Sequence, residues 1–206
     1  MTIYNRVVSR VPTKQAVLAL TFNIANGRKV PLSVLKLLKT EGITSTTFFV
    51  TGTWARSNPN IARKITNMGY EIASHGYLHE NYSERSNAWI ERDVTRAQRA
   101  IQSACGIKPM IIRTPSGDMN LRVIKKLLNM NQQIIHWGTD SLDWKIRNPS
   151  QIVSRVLKKA KSGDIILLHA CDTWHQSLDA LPSIIKGLRQ KGYRFLSVSE
   201  LRKYEE

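Results

Sequence analysis

The chain alternates between short apolar runs and longer stretches in which apolar residues recur every three or four positions. The short runs predict buried β-strands, because they are bounded by turn residues, at 16–22, 46–50, 70–74, 109–113, 133–137, 164–169 and 193–197. The stretches between them predict amphipathic helices at 31–40, 58–68, 87–104, 121–130, 149–161 and 178–190, with a short helix after residue 197. The expected buried stripe of the first helix is formed by Leu32, Leu35, Leu37 and Leu38.

This strict alternation of strand and helix predicts an α/β fold with a parallel sheet covered by helices. Seven or eight such units in a chain of 206 residues favour a closed or nearly closed small barrel, with a doubly wound open sheet as the alternative. We expect one domain over residues 15–206, preceded by an N-terminal extension, residues 1–14, that shows little pattern.

Polar side chains fall where several of the predicted strands end. In parallel α/β folds, ligands bind outside the carboxyl ends of the strands. The residues placed at this rim are Asn23, His75, His79, Arg113, Asp140, Asp143 and His169. Unrelated surface residues would be scattered over both ends of the sheet, so this distribution predicts an active site at the rim.

His75 and His79 lie four positions apart, directly after the third predicted strand. Neutral imidazole is the commonest metal ligand, and two such rings can hold a Zn²⁺-like ion. Two ordinary loop histidines can also have this spacing by chance, so the pair alone is weak evidence. The other polar residues at the same rim favour the metal interpretation.

The composition adds a strong positive charge to this picture. A net charge of +16 predicts attraction to polyanions such as nucleic acid, anionic lipid or acidic cell-wall polymers. The charges are spread along predicted helices, which is also typical of an ordinary solvated helix face. No zinc-finger spacing or Gly-rich phosphate loop indicates specific nucleic-acid binding. No apolar run is typical of a membrane span or a signal peptide.

Four segments resemble motifs of the polysaccharide deacetylases, also called NodB-homology carbohydrate esterases. His75-Gly-Tyr-Leu-His79 is similar to their H-[ST]-x-x-H metal motif, with Gly76 in place of the hydroxyl residue. Arg113-Thr-Pro-Ser-Gly117 resembles R-x-P-x-G, Asp140-Ser-Leu-Asp143-Trp144 resembles D-x-x-D-W, and Leu167-Leu-His169 resembles L-x-H. The resemblance implies a distorted (β/α) barrel and metal-assisted removal of acetyl groups from N-acetylated glycans such as peptidoglycan or chitin-type oligosaccharides.

The resemblance also implies a role for each rim residue. His75 and His79 would bind zinc or another divalent metal, and a backbone N–H near Ser116 would stabilise the oxyanion. His169 would be the general acid, held by Asp143, although Asp143 could instead cap a helix and His169 could be an ordinary buried histidine. The substrate-binding candidates are Trp144, Leu167, Ser116 and Tyr77, with plain core packing as the alternative for Trp144 and Leu167.

The first motif departs from the family pattern T-F-D-D-G, in which the first Asp is the general base and the second is a metal ligand. The corresponding segment is Thr21-Phe22-Asn23-Ile24-Ala25-Asn26-Gly27. An amide cannot accept a proton at neutral pH, and an isoleucine cannot coordinate a metal. Arg113, which orients the base in the family, would face a neutral partner. A branch associated with sporulation and cell-wall remodelling has T-F-D-I-x-x-G, which matches Ile24 and Gly27 but leaves Asn23 unexplained.

These features predict a metal-dependent N-deacetylase with low activity and a weakly bound metal. One alternative is a degenerate deacetylase that binds cell-wall glycan without turnover. Another is a basic module for anionic polymers, in which the rim is a relic. We expect an acetylated glycan as partner, an anionic cell-wall polymer as a second candidate partner, no specific nucleic acid, a monomer, and an extracellular or cell-surface location.

Overall fold

The computed structural model describes residues 6–206 and contains strands and helices in alternation. The strands are β1 (Val7–Val8), β2 (Val17–Ile24), β3 (Thr47–Val50), β4 (Glu71–Ser74), β5 (Ile111–Ile112), β6 (Gln133–Ile135), β7 (Thr139–Asp140), β8 (Ile165–His169) and β9 (Arg194–Phe195). The helices are α1 (Lys29–Thr40), α2 (Gly52–Ser57), α3 (Pro59–Asn67), α4 (Asn87–Cys105), α5 (Leu121–Asn129), α6 (Pro149–Lys159), α7 (Gln176–Gln190) and α8 (Val198–Leu201).

The strands form one parallel sheet in the order β1-β6-β5-β4-β3-β2-β8-β7, and β9 pairs with β2. The sheet is curled into a half-barrel with helices packed on it, which confirms the predicted α/β barrel-like fold. All seven predicted strands are present, although several are shorter than expected. No helix within residues 6–206 combines the length and the apolar character needed to cross a lipid bilayer.

Three elements were not predicted. β1 lies within the segment that the sequence analysis assigned to an extension, and it pairs with the buried strand β6. β7 consists of two residues, which lie beside β8 at Ile166 and Leu167. The helix α2 spans six residues and is capped by Thr51, whose hydroxyl accepts from the backbone N–H of Trp54 at 3.3 Å. These elements are too short to show a hydrophobic period of their own.

The buried face of α1 also differs from the prediction. Leu32 is 38% exposed, and the residues that pack inward are Val30, Pro31, Val34, Leu35 and Leu38. The helix begins at Lys29, two residues before the predicted start. The prediction selected every leucine, whereas the buried residues follow the helical repeat of three and four positions.

The two faces of β2 have different surroundings, because side chains alternate along a strand. Leu18, Leu20, Phe22 and Ile24 belong to the core cluster between the sheet and the helices. Val17 and Ala19 belong to a second cluster inside the half-barrel, together with Phe49, Ala73, Ile135 and Ile165. The next two residues of that inner face are Thr21 and Asn23. The lumen is therefore apolar at one end and becomes polar toward the carboxyl ends of the strands.

A carboxylate from the loop after β8 caps α1 from outside the helix. Asp172 accepts hydrogen bonds from the backbone N–H groups of Val30 (2.7 Å), Arg28 (3.0 Å) and Lys29 (3.3 Å). Burial acts to raise the pKa of Asp172, but these hydrogen bonds outweigh it and lower the pKa. Gly27 allows the close approach, since a Cβ there would lie 2.5 Å from the Asp172 carboxylate and its φ is +88°.

We expect Asp172→Ala to lower the free energy of unfolding by about 1–2 kcal/mol, because it leaves helix N-terminal donors without their acceptor. Urea unfolding at neutral pH measures this difference. The folded-state pKa is lowered, so the stabilisation is present above the unfolded-state pKa of about 4 and is lost as the pH falls through the folded-state value. The control is Asp179→Ala in the first turn of α7, which should change stability by less than about 0.5 kcal/mol. Equal effects of the two substitutions would contradict the capping role.

Candidate active site

The predicted rim residues meet at the carboxyl ends of the strands. Asn23 lies near the end of β2, directly beside His169 at the end of β8. His75 follows β4, and Arg113 follows β5. Asn23 Nδ2 lies 3.3 Å from His75 Nε2, and the ring centroids of His75 and His79 are 5.0 Å apart, so all three imidazoles lie in one neighbourhood. The structure therefore brings together residues that are far apart in the sequence.

Arg113 is fully buried and connects three parts of the sheet. One terminal nitrogen, Nη1, donates to Asn23 Oδ1 at 2.8 Å. The other, Nη2, donates to Thr21 Oγ1 and to the carbonyl oxygen of His136, both at 3.0 Å. The guanidinium also lies 3.9 Å from the centroid of the Phe49 ring. These contacts hold the side chain rigidly across the mouth of the half-barrel.

The charge of Arg113 has no directly bonded carboxylate in the described part of the chain, because Asn23 supplies a neutral oxygen. Burial lowers the pKa of Arg113 to about 9, and the charge of Asp140 only partly opposes this shift. Its Nε is buried without a hydrogen-bond partner among residues 6–206. The site thus retains a buried cation where the family pattern has an ion pair.

His75 has a defined tautomer. Its Nδ1 lies 2.8 Å from the carbonyl oxygen of Arg113, and because a carbonyl only accepts, Nδ1 carries the proton. The remaining lone pair is on Nε2, which lies 3.3 Å from Asn23 Nδ2. Since Arg113 donates to the oxygen of the Asn23 amide, the amide NH₂ group is turned toward His75. Burial lowers the pKa of His75 well below its usual value, and His79 lowers it further, so the ring is neutral at pH 7.

His79 supplies a second imidazole at the same place. The ring centroids of His75 and His79 are 5.0 Å apart and the rings are edge to face. Burial lowers the pKa of His79 as well, which favours the neutral, ligating form. Two neutral imidazoles fit a divalent ion, but a catalytic zinc normally has three protein ligands. No group of three or more His, Cys, Asp or Glu residues in the span 6–206 could hold a metal.

Ile24 does not line this site. It is fully buried and belongs to the cluster between the sheet and the helices, on the opposite face of β2 from Asn23. The position therefore lacks a ligating atom and also faces away from the imidazoles. The two departures in the first motif consequently affect different sides of the strand.

Asp143 and His169 form the second half of the site. His169 Nδ1 and its backbone N–H each lie 2.7 Å from one oxygen of the Asp143 carboxylate. Asp143 is fully buried, and Gln176 donates to its backbone carbonyl. The carboxylate fixes the ring and leaves Nε2 as the nitrogen available for proton transfer. The ring of Trp174 packs edge to face on His169 at 4.7 Å.

The substrate-binding candidates differ in their exposure. Trp144 is 44% exposed, whereas Leu167 is 2% exposed and lies on the same face of β8 as His169. Ser116 is exposed and has a φ of 56°, a left-handed backbone that a non-glycine residue rarely adopts. Leu142, in the Asp140–Trp144 segment, has a similar φ of 57°. Such backbone strain is concentrated at functional loops.

Tyr77 lies between the two histidines in sequence but not in the same environment. It is 4% exposed, and a Cβ placed on Gly52 in α2 would contact its ring. The guanidinium groups of Arg56 and Arg96 lie 5.8 and 4.1 Å from its ring centroid. The ring is packed between α2 and α4, and its role in substrate binding stays a prediction.

Sequence reasoning missed Asp93, which holds the loop that carries His75 and His79. Its carboxylate accepts from the backbone N–H of Tyr77 (2.8 Å) and of Leu78 (2.9 Å), and from the hydroxyl of Tyr82 (2.7 Å). Burial, together with the charge and hydrogen bond of Asp93, raises the pKa of Tyr82 well above its usual value. The available signal was an acidic residue on the apolar stripe of α4, beside Ile90, Val94 and Ala97.

We expect Asp93→Ala to destabilise the protein by about 3 kcal/mol or more, because each buried donor left unsatisfied costs roughly 1–3 kcal/mol. Chemical denaturation of the purified variant measures the loss. The matched control is Glu91→Ala on the same helix, where the solvent-exposed salt bridge to Lys126 contributes little to stability because water screens it. A loss in Asp93→Ala no larger than in the control would show that the loop does not depend on this carboxylate.

Comparisons with known proteins agree with this geometry. The family profile described as polysaccharide deacetylase matches residues 10–135. A peptidoglycan-N-acetylglucosamine deacetylase from Bacillus cereus is 32% identical over 202 residues, which cover 97% of this chain and 94% of the relative. The uncharacterized protein YlxY of Bacillus subtilis is 32% identical over 183 residues, 89% of this chain, and this match spans only 56% of YlxY.

A solved structure shows the same fold. The crystal structure of BA3943, described as a CE4 family pseudoenzyme from Bacillus anthracis, superposes with a TM-score of 0.89 at 28% identity. The match covers 97% of this chain and 69% of that structure. The barrel-like fold, the arrangement of the motifs at one rim and the match of the family profile lead to one conclusion: this chain belongs to the polysaccharide deacetylase family.

Proposed function

We propose that this protein is a cell-wall polysaccharide deacetylase-like hydrolase that removes N-acetyl groups from a glycan such as peptidoglycan, with low activity. The observation that carries the proposal is the hydrogen-bonded pair of His169 and Asp143, which Asn23 separates from the adjacent imidazoles of His75 and His79. Amide hydrolysis needs an acid for the leaving amine and an environment that stabilises the oxyanion. The B. cereus relative, described as a peptidoglycan-N-acetylglucosamine deacetylase, supports the substrate class.

His169 is the proposed general acid. Asp143 orients its ring through Nδ1, so Nε2 would deliver the proton to the leaving nitrogen. Trp144, which is partly exposed, and the buried Leu167 would border the acetyl group. The backbone near Ser116 would donate to the oxyanion.

His75 and His79 are the proposed ligands of zinc or another divalent ion, with water in the remaining positions. A bound ion of this kind polarises a carbonyl and lowers the pKa of water. The binding should be weak, because the chain offers two ligands and because the Asn23 amide occupies the lone pair on His75 Nε2. Asn23 cannot accept a proton, so the general base of the family is missing.

A second candidate function is binding of cell-wall glycan without turnover. The specific observation in its favour is the amide NH₂ group of Asn23, which faces the ring nitrogen that would ligate the metal. The similarity to a protein described as a CE4 family pseudoenzyme points in the same direction. Deacetylation of acetylated oligosaccharides by the zinc-loaded, unmodified chain distinguishes the two functions, because a protein of the second kind binds them and releases no acetate.

The proposed substrate implies action outside the cell or at its surface, where cell-wall glycan is found. The relatives described as peptidoglycan deacetylases support this location. A role in sporulation and a monomeric state remain proposals drawn from the sequence.

We expect Asn23→Ala to bind zinc more tightly than the unmodified chain, by roughly fivefold to tenfold, since a hydrogen bond competing for His75 Nε2 is worth about 1 kcal/mol. Isothermal titration calorimetry measures the affinity directly and does not require activity. The control is Asn26→Ala, an exposed amide in the same loop region whose side chain contacts Thr173 at 3.5 Å. Unchanged zinc affinity in Asn23→Ala would show that the amide does not block the ligand.

We expect Asn23→Asp to raise the rate of deacetylation, because general-base catalysis is typically worth about a hundred- to ten-thousand-fold. Acetate release from N-acetylated glycan oligomers at saturating zinc measures the change. The control combines Asn23→Asp with His169→Ala and should remain inactive. Robust activity of the unmodified chain that Asn23→Asp leaves unchanged would mean that another group is the base, with Asp140 and Asp118 as candidates.

Both of these carboxylates already have structural partners. Asp140 accepts from the backbone N–H of Leu142 at 2.8 Å, and Asp118 accepts from the backbone N–H and the hydroxyl of Ser83 at 2.6 and 2.8 Å. Adding Ile24→Asp would place a carboxylate at a fully buried position of the apolar cluster between the sheet and the helices. We therefore expect the double variant to be less stable than Asn23→Asp alone.

A further inference from the structure

Four arginines on α2 and α4 form an exposed basic surface next to the loop of the first histidine motif. This arginine track consists of Arg56, Arg92, Arg96 and Arg99. None of them has a carboxylate within 4.0 Å or a side-chain hydrogen bond to another part of the chain between residues 6 and 206. By contrast, Arg85 and Arg122 nearby donate to Glu80 and Asn87. The track therefore presents guanidinium groups whose donors are unused.

The track surrounds a pocket of about 570 Å³. Arg56, Arg96 and Arg99 line it, together with Tyr77 and small residues of α4. The guanidinium of Arg96 lies 4.1 Å from the centroid of the Tyr77 ring, and that of Arg56 lies 5.8 Å from it. Cation–π contacts at these distances restrict the two side chains, so less conformational entropy is lost when they bind a ligand.

The geometry of α4 arranges the track as a line. Arg92, Arg96 and Arg99 are separated by four and three residues, which places them on one helix face over about 10 Å at 1.5 Å per residue. The backbone of α2 is tied to the histidine loop, since the N–H groups of Gly52 and Thr53 donate to the carbonyls of Gly76 (2.8 Å) and Tyr77 (3.2 Å). The arginines thus lie beside the candidate active site, on its outer side.

We propose that the arginine track binds the phosphodiester groups of a linear anionic polymer. A row of unpaired guanidinium groups matches successive phosphates, because each planar fork can donate two hydrogen bonds to one phosphate. The net charge of +16 provides long-range attraction to the same ligand. The proposal goes beyond deacetylation and does not depend on it.

The track lacks the stacking surface of a site for single-stranded nucleic acid. Single-stranded nucleic acids are held by exposed aromatic rings that stack on the bases. The one aromatic ring in this pocket, Tyr77, is 4% exposed and is covered by arginines. The surface offers a line of cations without an exposed stacking ring, and we assign it to a polymer of phosphodiester-linked polyols.

A second basic surface on the protein provides a matched control. Lys158, Lys159 and Lys161 are exposed, line a pocket of about 620 Å³, and have no salt bridge in the described structure. Changing three lysines here removes the same charge as changing three arginines in the track. The comparison separates a specific site from general electrostatic attraction.

The experiment measures binding of synthetic poly(glycerol phosphate) by the full chain at several salt concentrations. For the combined variant Arg56→Gln, Arg96→Gln and Arg99→Gln, we expect the affinity for the polymer to fall by about tenfold or more. The slope of log affinity against log salt should become shallower by about two, because each phosphate contact contributes roughly 0.7. The combined variant Lys158→Gln, Lys159→Gln and Lys161→Gln should change both quantities much less. Equal losses in the two variants, or no loss in the arginine variant, would overturn the proposal.

Further arms test the identity of the ligand and the integrity of the variants. Tighter binding of oligothymidylate or polyglutamate of equal charge would overturn the assignment to a polyol phosphate. Replacing the three arginines by lysine keeps the charge and removes the planar guanidinium groups, so we expect an intermediate loss of polymer affinity. This variant tests the proposal even if the glutamine variant fails to fold. Unchanged affinity after that replacement would contradict the proposed geometry.

Binding of a neutral acetylated oligosaccharide should be the same in all variants, and its absence throughout would contradict the proposed deacetylase function alone.

Discussion

The buried guanidinium of Arg113 is the group on which the candidate site depends. Its two terminal nitrogens bond to β2 through Thr21 and Asn23 and to the end of β6 through the carbonyl of His136. The backbone carbonyl of Arg113 fixes the tautomer of His75. Burying a charge costs less when its donors are hydrogen-bonded, and although Nε has no partner among residues 6–206, the acceptors of both terminal nitrogens must stay in place. Arg113 therefore holds the rim together through its side chain and sets the state of the first histidine through its backbone carbonyl.

Asn23 supplies the acceptor that Arg113 needs, but its amide cannot accept a proton. Its oxygen accepts from Arg113 and its nitrogen donates toward His75, so the amide completes the network without a charge. A carboxylate in the same place would accept from Arg113 but could not donate to the neutral ring. The position can thus be structurally complete and catalytically deficient at the same time. On the other side of the site, Asp143 and His169 remain hydrogen-bonded to each other.

The sequence was sufficient to predict the fold and the rim because both follow from periodic patterns. Alternating apolar runs identified seven strands, and parallel strands bring their carboxyl ends together. The elements that were missed, β1, β7 and α2, contain too few residues for a period to be visible. The position of Asp93 on the apolar stripe of α4 was a visible signal, but its partners lie 11 to 16 positions away and could not be identified from local sequence. The packing of Tyr77 under two arginines likewise depends on how α2 and α4 approach each other.

The alternation of side chains along β2 explains why the two departures in the first motif are unequal. Asn23 faces the lumen, where Arg113 and His75 contact it, so its effect is chemical. Ile24 faces the helices and is fully buried in an apolar cluster, so its effect is on stability. Ile24 pairs with Val50 at the end of the sheet, so replacing its apolar side chain would disturb the packing of β2 against the helices. Asn23 therefore alters the polar network of the rim, whereas Ile24 contributes to the apolar core behind it.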